Sequence, residues 1–351
     1  MRGGATRAPP RRRRRRWAPT CSAGSRPATA TGSSPSSPGS WTTRRTLRPA
    51  LKRTVPRFGD VENSDPVIDR YAGVVAVLDD ARFAVPPAAG GPPASLAWLR
   101  RTVCRFSEGA EHGRRRTIVM DALDTIDPAR LRRRARDLVR AGGDPYDVPF
   151  LALGEALGVT DLDALARAVP AAASGYLTGQ GRDDADAAVA VLVRLLGPGP
   201  DEVVAGRIAV LLQASEATAA LVRTALPYTR RPESRGRPVE DVIAEVLRYD
   251  PPVPAMRRIA TEDVQLDGRT IAKGAVVTLD LRAANRDPAV FEEPGRFDPG
   301  RRERPHLTFG AGRRPCPGTG HALQLAAGVL EAGLSDTGLT GTGGHGKEGV
   351  R

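Results

Sequence analysis

One cysteine lies in a loop whose composition sets it apart from the rest of the chain. The segment FGAGRRPCPG, residues 309–318, surrounds Cys316 with three glycines and two prolines. Glycine permits positive φ angles and close backbone approach, whereas proline fixes φ and removes a hydrogen-bond donor. Such a loop can hold a thiolate in place and bring backbone N–H groups to the sulfur. For an isolated cysteine the better interpretation is a structural residue buried in a glycine-rich turn, and a functional thiolate is favoured only when the motifs upstream are taken with it.

The residues that follow this loop are apolar at helical spacing, HALQLAAGVLEAGL, residues 321–334. The amino end of a helix favours negative charge, because the peptide dipoles and the unpaired N–H groups point there. We therefore predict a helix whose N-terminus lies beside the sulfur of Cys316 and favours its thiolate form.

A second candidate group is a carboxylate inside a long apolar helix. The pattern runs from Pro200 to about Leu226, begins with Pro-Asp-Glu, and is apolar on nearly every face. It predicts a helix that crosses the centre of the protein. Glu216 is its one interior acid, and a carboxylate there is costly unless it is hydrogen-bonded or functional. Ala217 and Thr218 follow it directly.

A charged pair is predicted on another helix, residues 238–253, which begins at Pro238 and stops at Pro251. Glu245 and Arg248 stand three residues apart there, close enough on one face for a charge-assisted pair. This spacing is weak by itself, because many solvated helices contain it.

The remaining patterns place most of the chain in helices. The one convincing β region spans residues 256–281, where Asp267-Gly268 and Lys273-Gly274 are turn signals. A short strand is predicted at 67–71. The other predicted helices span residues 73–80, 111–123, and approximately 128–141, 147–156, 161–174 and 183–196. The fold class predicted is mainly α with a small β portion.

In combination these motifs resemble the cytochrome P450 family. The loop spacing Phe-x-x-Gly-x-x-x-Cys-x-Gly is similar to the haem-binding loop of that family. The acid-bearing helix, the Glu-x-x-Arg helix followed by YDPPV, and the NRDP segment precede it in the family's order. The resemblance covers about residues 65–334 and implies a P450-like fold. It also implies haem b (iron protoporphyrin IX), with Cys316 as the axial thiolate and metal ligand.

The resemblance implies haem-binding roles for further residues. Phe309 would pack near the porphyrin, within the loop that Gly310 and Gly318 shape. The propionate groups would be bound by His112 and Arg116, which stand at i, i+4 on one helix face, and by Arg258 and Arg314. The alternatives are a solvated basic face for the first two residues and an ordinary strand-surface charge for Arg258.

The resemblance also implies catalytic and structural roles. Glu216 and Thr218 would deliver protons to dioxygen. Ala217 occupies the family's usual threonine position, and Thr218 lies about 100° further around the helix, where it can face away. Glu245 and Arg248 would pair with a second arginine, matched here by Arg296, to lock the core on the haem side.

The formal charge of +13 belongs to one end of the chain. Residues 1–59 contain fifteen Lys and Arg and no acid, which leaves −2 for residues 60–351. We predict a disordered basic tail over 1–59, a haem domain over 60–334, and a disordered glycine-rich tail over 335–351. A transit peptide, a nucleic-acid-binding arm and a misassigned start or shifted reading frame are the alternatives for the first segment.

The function that the resemblance implies is haem-thiolate monooxygenation of a small organic substrate. It would use O2 and two electrons from a ferredoxin or flavodoxin-type donor. A cytoplasmic enzyme is predicted, because the three cysteines suggest a reducing compartment and no run of about eighteen apolar residues exists. Nucleic acid is not an expected partner. The competing hypothesis is an inactive or haem-free protein whose basic N-terminal arm binds nucleic acid or an acidic surface.

Overall fold

The computed structural model describes residues 65–302 and 305–335. The predicted basic tail over 1–59 lies outside the described residues. So does the predicted glycine-rich tail, apart from Ser335, which ends the last helix.

The described chain is mainly helical. Its helices are α1 (Tyr71–Asp79), α2 (Leu96–Thr102), α3 (Gly109–Asp124), α4 (Pro128–Arg140), α5 (Val148–Ala156), α6 (Leu162–Ala173), α7 (Ala185–Leu195), α8 (Asp201–Gln213), α9 (Ala219–Thr229), α10 (Val239–Tyr249), α11 (Leu281–Ala284) and α12 (Thr319–Ser335). Helix α2 was not predicted from the sequence. The strand predicted at 67–71 extends too far, because α1 begins at Tyr71.

The strands are few and short, as predicted. They are β1 (Val67–Ile68), β2 (Phe83–Ala84), β3 (Ala255–Ala260), β4 (Val264–Leu266), β5 (Arg269–Ile271) and β6 (Val276–Asp280). Four of them form a sheet in the order β1-β6-β3-β2, in which β1 is parallel to β6 and the other pairs are antiparallel.

The remaining two strands form the predicted hairpin. Strands β4 and β5 pair in register from Val264 with Ile271 to Leu266 with Arg269. Asp267 and Gly268 both have positive φ, 48° and 74°, as a two-residue turn of the I′ type requires. The turn signal read from the sequence is therefore confirmed.

The predicted central helix is interrupted in its middle. A π-helical turn, Ala214–Thr218, separates α8 from α9. The whole stretch Asp201–Thr229 is long and apolar enough, by length and composition alone, to cross a membrane, and 56% of its most apolar window is buried inside the protein. Ile208, Leu211 and Leu212 are fully buried, as expected for a helix that crosses a core.

Helix α12 runs along α4 and also packs against α9, α10 and the π-helical turn. Its contact with α4 depends on Gly328. A Cβ atom at that position would lie 2.2 Å from the carbonyl oxygen of Arg132. The two backbones therefore approach closely, which fixes the helix that follows the cysteine loop.

Candidate active site

The cysteine loop is closed by its own backbone. The N–H of Cys316 donates to the carbonyl of Phe309 over 2.8 Å, and the N–H of Gly310 donates to Leu307 over 2.8 Å. The hydroxyl of Thr319 donates to the carbonyl of Cys316 over 3.1 Å. Helix α12 begins at Thr319, three residues after the cysteine. The cysteine is exposed, so its sulfur is accessible to a ligand at the amino end of that helix.

The loop also touches the carboxyl end of α1 at one point. Gly312 has φ of 60°, and a Cβ atom there would lie 2.9 Å from backbone atoms of Asp79 and Leu78. The N–H of the next residue, Arg313, donates to the carbonyl of Leu78 over 3.4 Å. Only glycine satisfies both the positive φ and the close contact at position 312.

Three of the predicted propionate-binding residues share one cavity. A cavity of about 250 Å³ is lined by His112 from α3, Arg258 from β3 and Arg314 from the cysteine loop. Arg313, Glu108 and Asp80 also line it. Arg116 lies one helical turn from His112, and its positive charge contributes to lowering the pKa of that imidazole.

Burial makes this basic cluster electrostatically costly. Arg258 is only 8% exposed. Burial, together with the positive charges of Arg314 and Arg105, lowers its pKa to about 10. Burial also lowers the pKa of Arg314, while Glu108 opposes that shift. Burial first, and then the arginines nearby, lower the pKa of His112, so its neutral form is favoured. A bound anion would relieve this repulsion.

Glu108 is the carboxylate that contacts the cluster directly. Its Oε2 accepts from Nη2 of Arg314 over 2.5 Å, and its Oε1 accepts from the N–H of Val85 over 2.7 Å. The same Nη2 donates to the carbonyl of Ser107 over 2.5 Å. These bonds hold one side of the Arg314 guanidinium. Among the described residues, its Nε and Nη1 groups donate no hydrogen bond.

Haem fits this set of groups. A soft anionic sulfur is a suitable iron ligand, and guanidinium groups bind carboxylates with strong charge-assisted hydrogen bonds. Cys316 is exposed, and Arg314, which lines the basic cavity, lies two residues before it in the same loop. A dianionic macrocycle placed between them would neutralise the buried positive charge of Arg258.

The structure brings Glu245 and Arg248 together in a fully buried pair. Both side chains are 0% exposed. Nε of Arg248 donates to Oε2 of Glu245 over 2.9 Å, and Nη2 donates to Oε1 over 2.6 Å. This bidentate geometry is the strongest form of carboxylate–guanidinium pair.

The prediction for Arg296 is wrong in one respect. Its side chain is 61% exposed and pairs with Glu293 over 2.9 Å, while its backbone carbonyl accepts from Nη2 of Arg248 over 2.9 Å. The second basic side chain beside Glu245 is that of Arg301, whose Nε lies 3.8 Å from Oε1 and whose side chain is 14% exposed. The chain bends at Arg296, whose N–H donates to the carbonyl of Glu293 over 3.0 Å; its own carbonyl faces Arg248, and its side chain points to solvent.

The predicted proton-delivery residues lie in the π-helical turn. Glu216 is half-buried, Ala217 is exposed and Thr218 is 5% exposed. Thr218 therefore faces the packed side of the helix, and Ala217 faces the open side. A π-helical turn holds one more residue than an α-helical turn and often marks a functional site. Its position at Glu216 was not readable from hydrophobic periodicity.

Cys104, in the turn Cys104–Phe106 before α3, is the second free cysteine among the described residues. Burial raises the pKa of its thiol, although Arg116, Arg105 and Arg314 oppose that shift. The thiol form is therefore favoured, and no glycine-rich loop surrounds it.

Comparison with known proteins agrees with this geometry. The family model for cytochrome P450 matches residues 238–328. Nocardicin C N-oxygenase of Nocardia uniformis is 28% identical over 82% of this chain and 83% of its own length. The crystal structure of CalO2 is 26% identical and superimposes with a TM-score of 0.64, over 76% of this chain and 81% of that one. Cytochromes P450 are therefore the proteins that this chain resembles, in its family match and along most of its length.

The family model matches the carboxyl-terminal part of the chain. The biotin biosynthesis cytochrome P450 of Bacillus subtilis is 43% identical over 94 residues, which are 27% of this chain. The match covers only 23% of that relative's length. The P450 family implies a haem cofactor.

Proposed function

We propose that this chain is a haem-thiolate monooxygenase that oxidises a small organic substrate. The observation that supports it best is the exposed Cys316 in the same loop as Arg314, which lines the basic cavity with Arg258 and His112. When bound, haem b would supply the oxygen chemistry, with two electrons from a ferredoxin or flavodoxin-type donor. The setting proposed is the cytoplasm.

In this proposal the protein's own residues have separate tasks. Cys316 would ligate the haem iron, and Phe309 would pack beside the porphyrin. His112, Arg116, Arg258 and Arg314 would hold the propionates through hydrogen bonds and charge. The exposed Arg313 is placed to steer an acidic electron donor towards the cysteine face.

Proton delivery is assigned to the π-helical turn. Glu216 is the proposed proton carrier, since it is the acid of that turn. Thr218 is a weaker candidate, because its side chain is buried on the packed face. Ala217 offers no hydroxyl on the open face, and Ser215 is buried like Thr218, so a hydrogen bond to the reacting oxygen would come from water or the substrate.

The experiment that tests the proposal is an absorption spectrum. Purified protein is reduced, exposed to carbon monoxide, and its Soret band is recorded. A thiolate-type red shift is expected. Absence of any haem absorbance in protein produced with ample haem would overturn the proposal and favour the haem-free alternative.

Arg258→Gln should affect the haem-free and haem-bound proteins in opposite directions. Without haem, removal of a buried cation that repels Arg314 is expected to raise the free energy of unfolding by about 1 kcal/mol. With haem, loss of a charge-assisted bond to a propionate should speed haem dissociation roughly ten-fold. Denaturant unfolding and haem transfer to apomyoglobin measure the two effects.

The control for that experiment is Arg257→Gln. The two arginines are neighbours on β3, so their side chains lie on opposite faces of the sheet. We expect no acceleration of haem loss in this variant. If both substitutions released haem equally fast, Arg258 would have no specific role at the propionates.

Glu216→Gln should keep haem and substrate binding while slowing turnover by about 10²–10⁴-fold, as for other general acids. Ala217→Thr, which adds a hydroxyl on the open face, should change the ratio of product to hydrogen peroxide released. Thr218→Ala should have the smaller effect. Product formed per reducing equivalent is measured for all three variants with a reconstituted donor. If Glu216→Gln showed the turnover rate and the product yield per reducing equivalent of the parent, Glu216 would have only a structural role and would not carry protons.

A further inference from the structure

The NRDP segment contains a fully buried side chain to which the proposed chemistry assigns no task. Asn285, just after α11, is 0% exposed. It contacts the carboxyl end of α10 and the two residues directly before the cysteine loop. The inference below concerns this residue and rests on the proposed haem-thiolate function.

The amide of Asn285 connects these two segments directly. Its Oδ1 accepts from the N–H of Leu307 over 2.7 Å. Its Nδ2 donates to the carbonyl of Leu247 over 3.3 Å and to Oγ1 of Thr308 over 3.0 Å. The hydroxyl of Thr308 in turn donates to the same carbonyl of Leu247 over 2.6 Å. Both polar atoms of the amide therefore have partners, and two of those partners, Leu307 and Thr308, directly precede the cysteine loop.

The backbone of Asn285 is held by the buried ion pair. Nη1 of Arg248 donates to the carbonyl of Asn285 over 3.1 Å. On the other side, the N–H of Cys316 donates to the carbonyl of Phe309, the residue after Thr308, over 2.8 Å. A continuous series of hydrogen bonds and adjacent peptides thus leads from α10 through Asn285 to the cysteine.

We propose that Asn285 is a positioning residue for the thiolate, because it sets the register of the cysteine loop against α10. An amide side chain is suited to the task, since it both donates and accepts at one place. Alanine would leave the buried N–H of Leu307 without its partner, and an unsatisfied buried donor disfavours this arrangement of the loop. The loop would then occupy alternative registers in which the sulfur is not presented as an anionic ligand.

The test compares reduced, carbon monoxide-bound holoprotein of the parent, Asn285→Ala and Thr308→Val. The quantity measured is the fraction of bound haem that gives the thiolate-type band, independent of how much haem is bound. For Asn285→Ala we expect the ratio of non-thiolate to thiolate forms to rise roughly ten-fold. Thr308→Val preserves the side-chain shape and leaves the hydrogen bond between Asn285 and Leu307 in place. We therefore expect this variant to fold and to show a smaller rise in the ratio.

The matched control is Asp287→Asn, two residues along the same segment. Asp287 is 4% exposed, but its carboxylate accepts from the N–H of Tyr71 over 3.0 Å and from Arg70 over 3.4 Å. It anchors the start of α1 and does not bond to the cysteine loop. We expect this variant to lose stability or haem content without any change in the ratio.

Each outcome decides between named alternatives. If Asn285→Ala and Thr308→Val bind less haem at the parental ratio, Asn285 is only a structural residue and the inference is wrong. An equal change of ratio in Asp287→Asn would overturn it too, because general destabilisation would then explain the effect. A parent without any thiolate-type band would instead overturn the proposed function itself, and this inference with it.

Discussion

Cys316→Ser is expected to abolish the thiolate-type carbon monoxide spectrum completely. A neutral hydroxyl cannot replace a soft anionic sulfur as an iron ligand. The substitution is small and the position is exposed, so the fold should be retained. The measurement is the reduced, carbon monoxide-bound spectrum at equal protein concentration, together with the far-ultraviolet circular dichroism that reports helix content.

Cys104→Ser is the matched control for this experiment. The thiol of Cys104 is partly buried and burial raises its pKa, so the thiol form is favoured there. We expect the parental spectrum from this variant. The central assignment would be wrong if Cys104→Ser removed the band and Cys316→Ser left it intact.

Removing Arg248 is expected to have the second large effect. Arg248→Ala leaves the buried carboxylate of Glu245 without its bidentate partner, and both side chains are 0% exposed. Breaking such a pair typically costs about 3–5 kcal/mol, a large share of the stability of a domain. The same guanidinium also donates to the carbonyls of Asn285, Pro294 and Arg296 over 3.1, 3.0 and 2.9 Å. Folded yield, denaturant unfolding and haem occupancy should therefore all fall.

Two further variants sharpen this prediction. Glu245→Ala should be comparably damaging, since it leaves a buried guanidinium unpaired. Arg296→Ala should change the free energy of unfolding by less than about 0.5 kcal/mol, because its side chain is 61% exposed and only its backbone carbonyl is used. If Arg296→Ala were as harmful as Arg248→Ala, its side chain would contribute to the core in a way that the structure does not show.

Much of the helical framework was readable from the sequence because its signals are local. Helix α4 begins at Pro128, as predicted, and α10 begins one residue after Pro238. The Asp267-Gly268 turn appears where its dipeptide predicts it. Apolar periodicity, start signals and turn residues act over a few neighbouring positions, so they can be recognised without knowledge of the tertiary contacts. Helix α2 was missed, since its seven residues are too few to show a period.

The chemistry-bearing motifs are also local, so they identified Cys316, Glu245 and Arg248 as candidates. The residues that surround these side chains in the fold could not be predicted from the motifs. The convergence of His112, Arg258 and Arg314 on one cavity depends on bringing α3, β3 and the cysteine loop together. The spacing of 56 residues between Arg258 and Arg314 carries no information about that contact.

Tertiary structure alone decided which groups surround the buried pair and how the central helix is interrupted. Arg296 and Arg301 have the same side chain in the same segment, and only the path of the backbone places the second one beside Glu245. The sequence likewise places Glu216 in an apolar helix, whereas packing of that helix against α5, α6 and α12 accompanies the π-helical turn. Side-chain type is encoded residue by residue, but direction and neighbours follow from contacts between segments far apart in the chain.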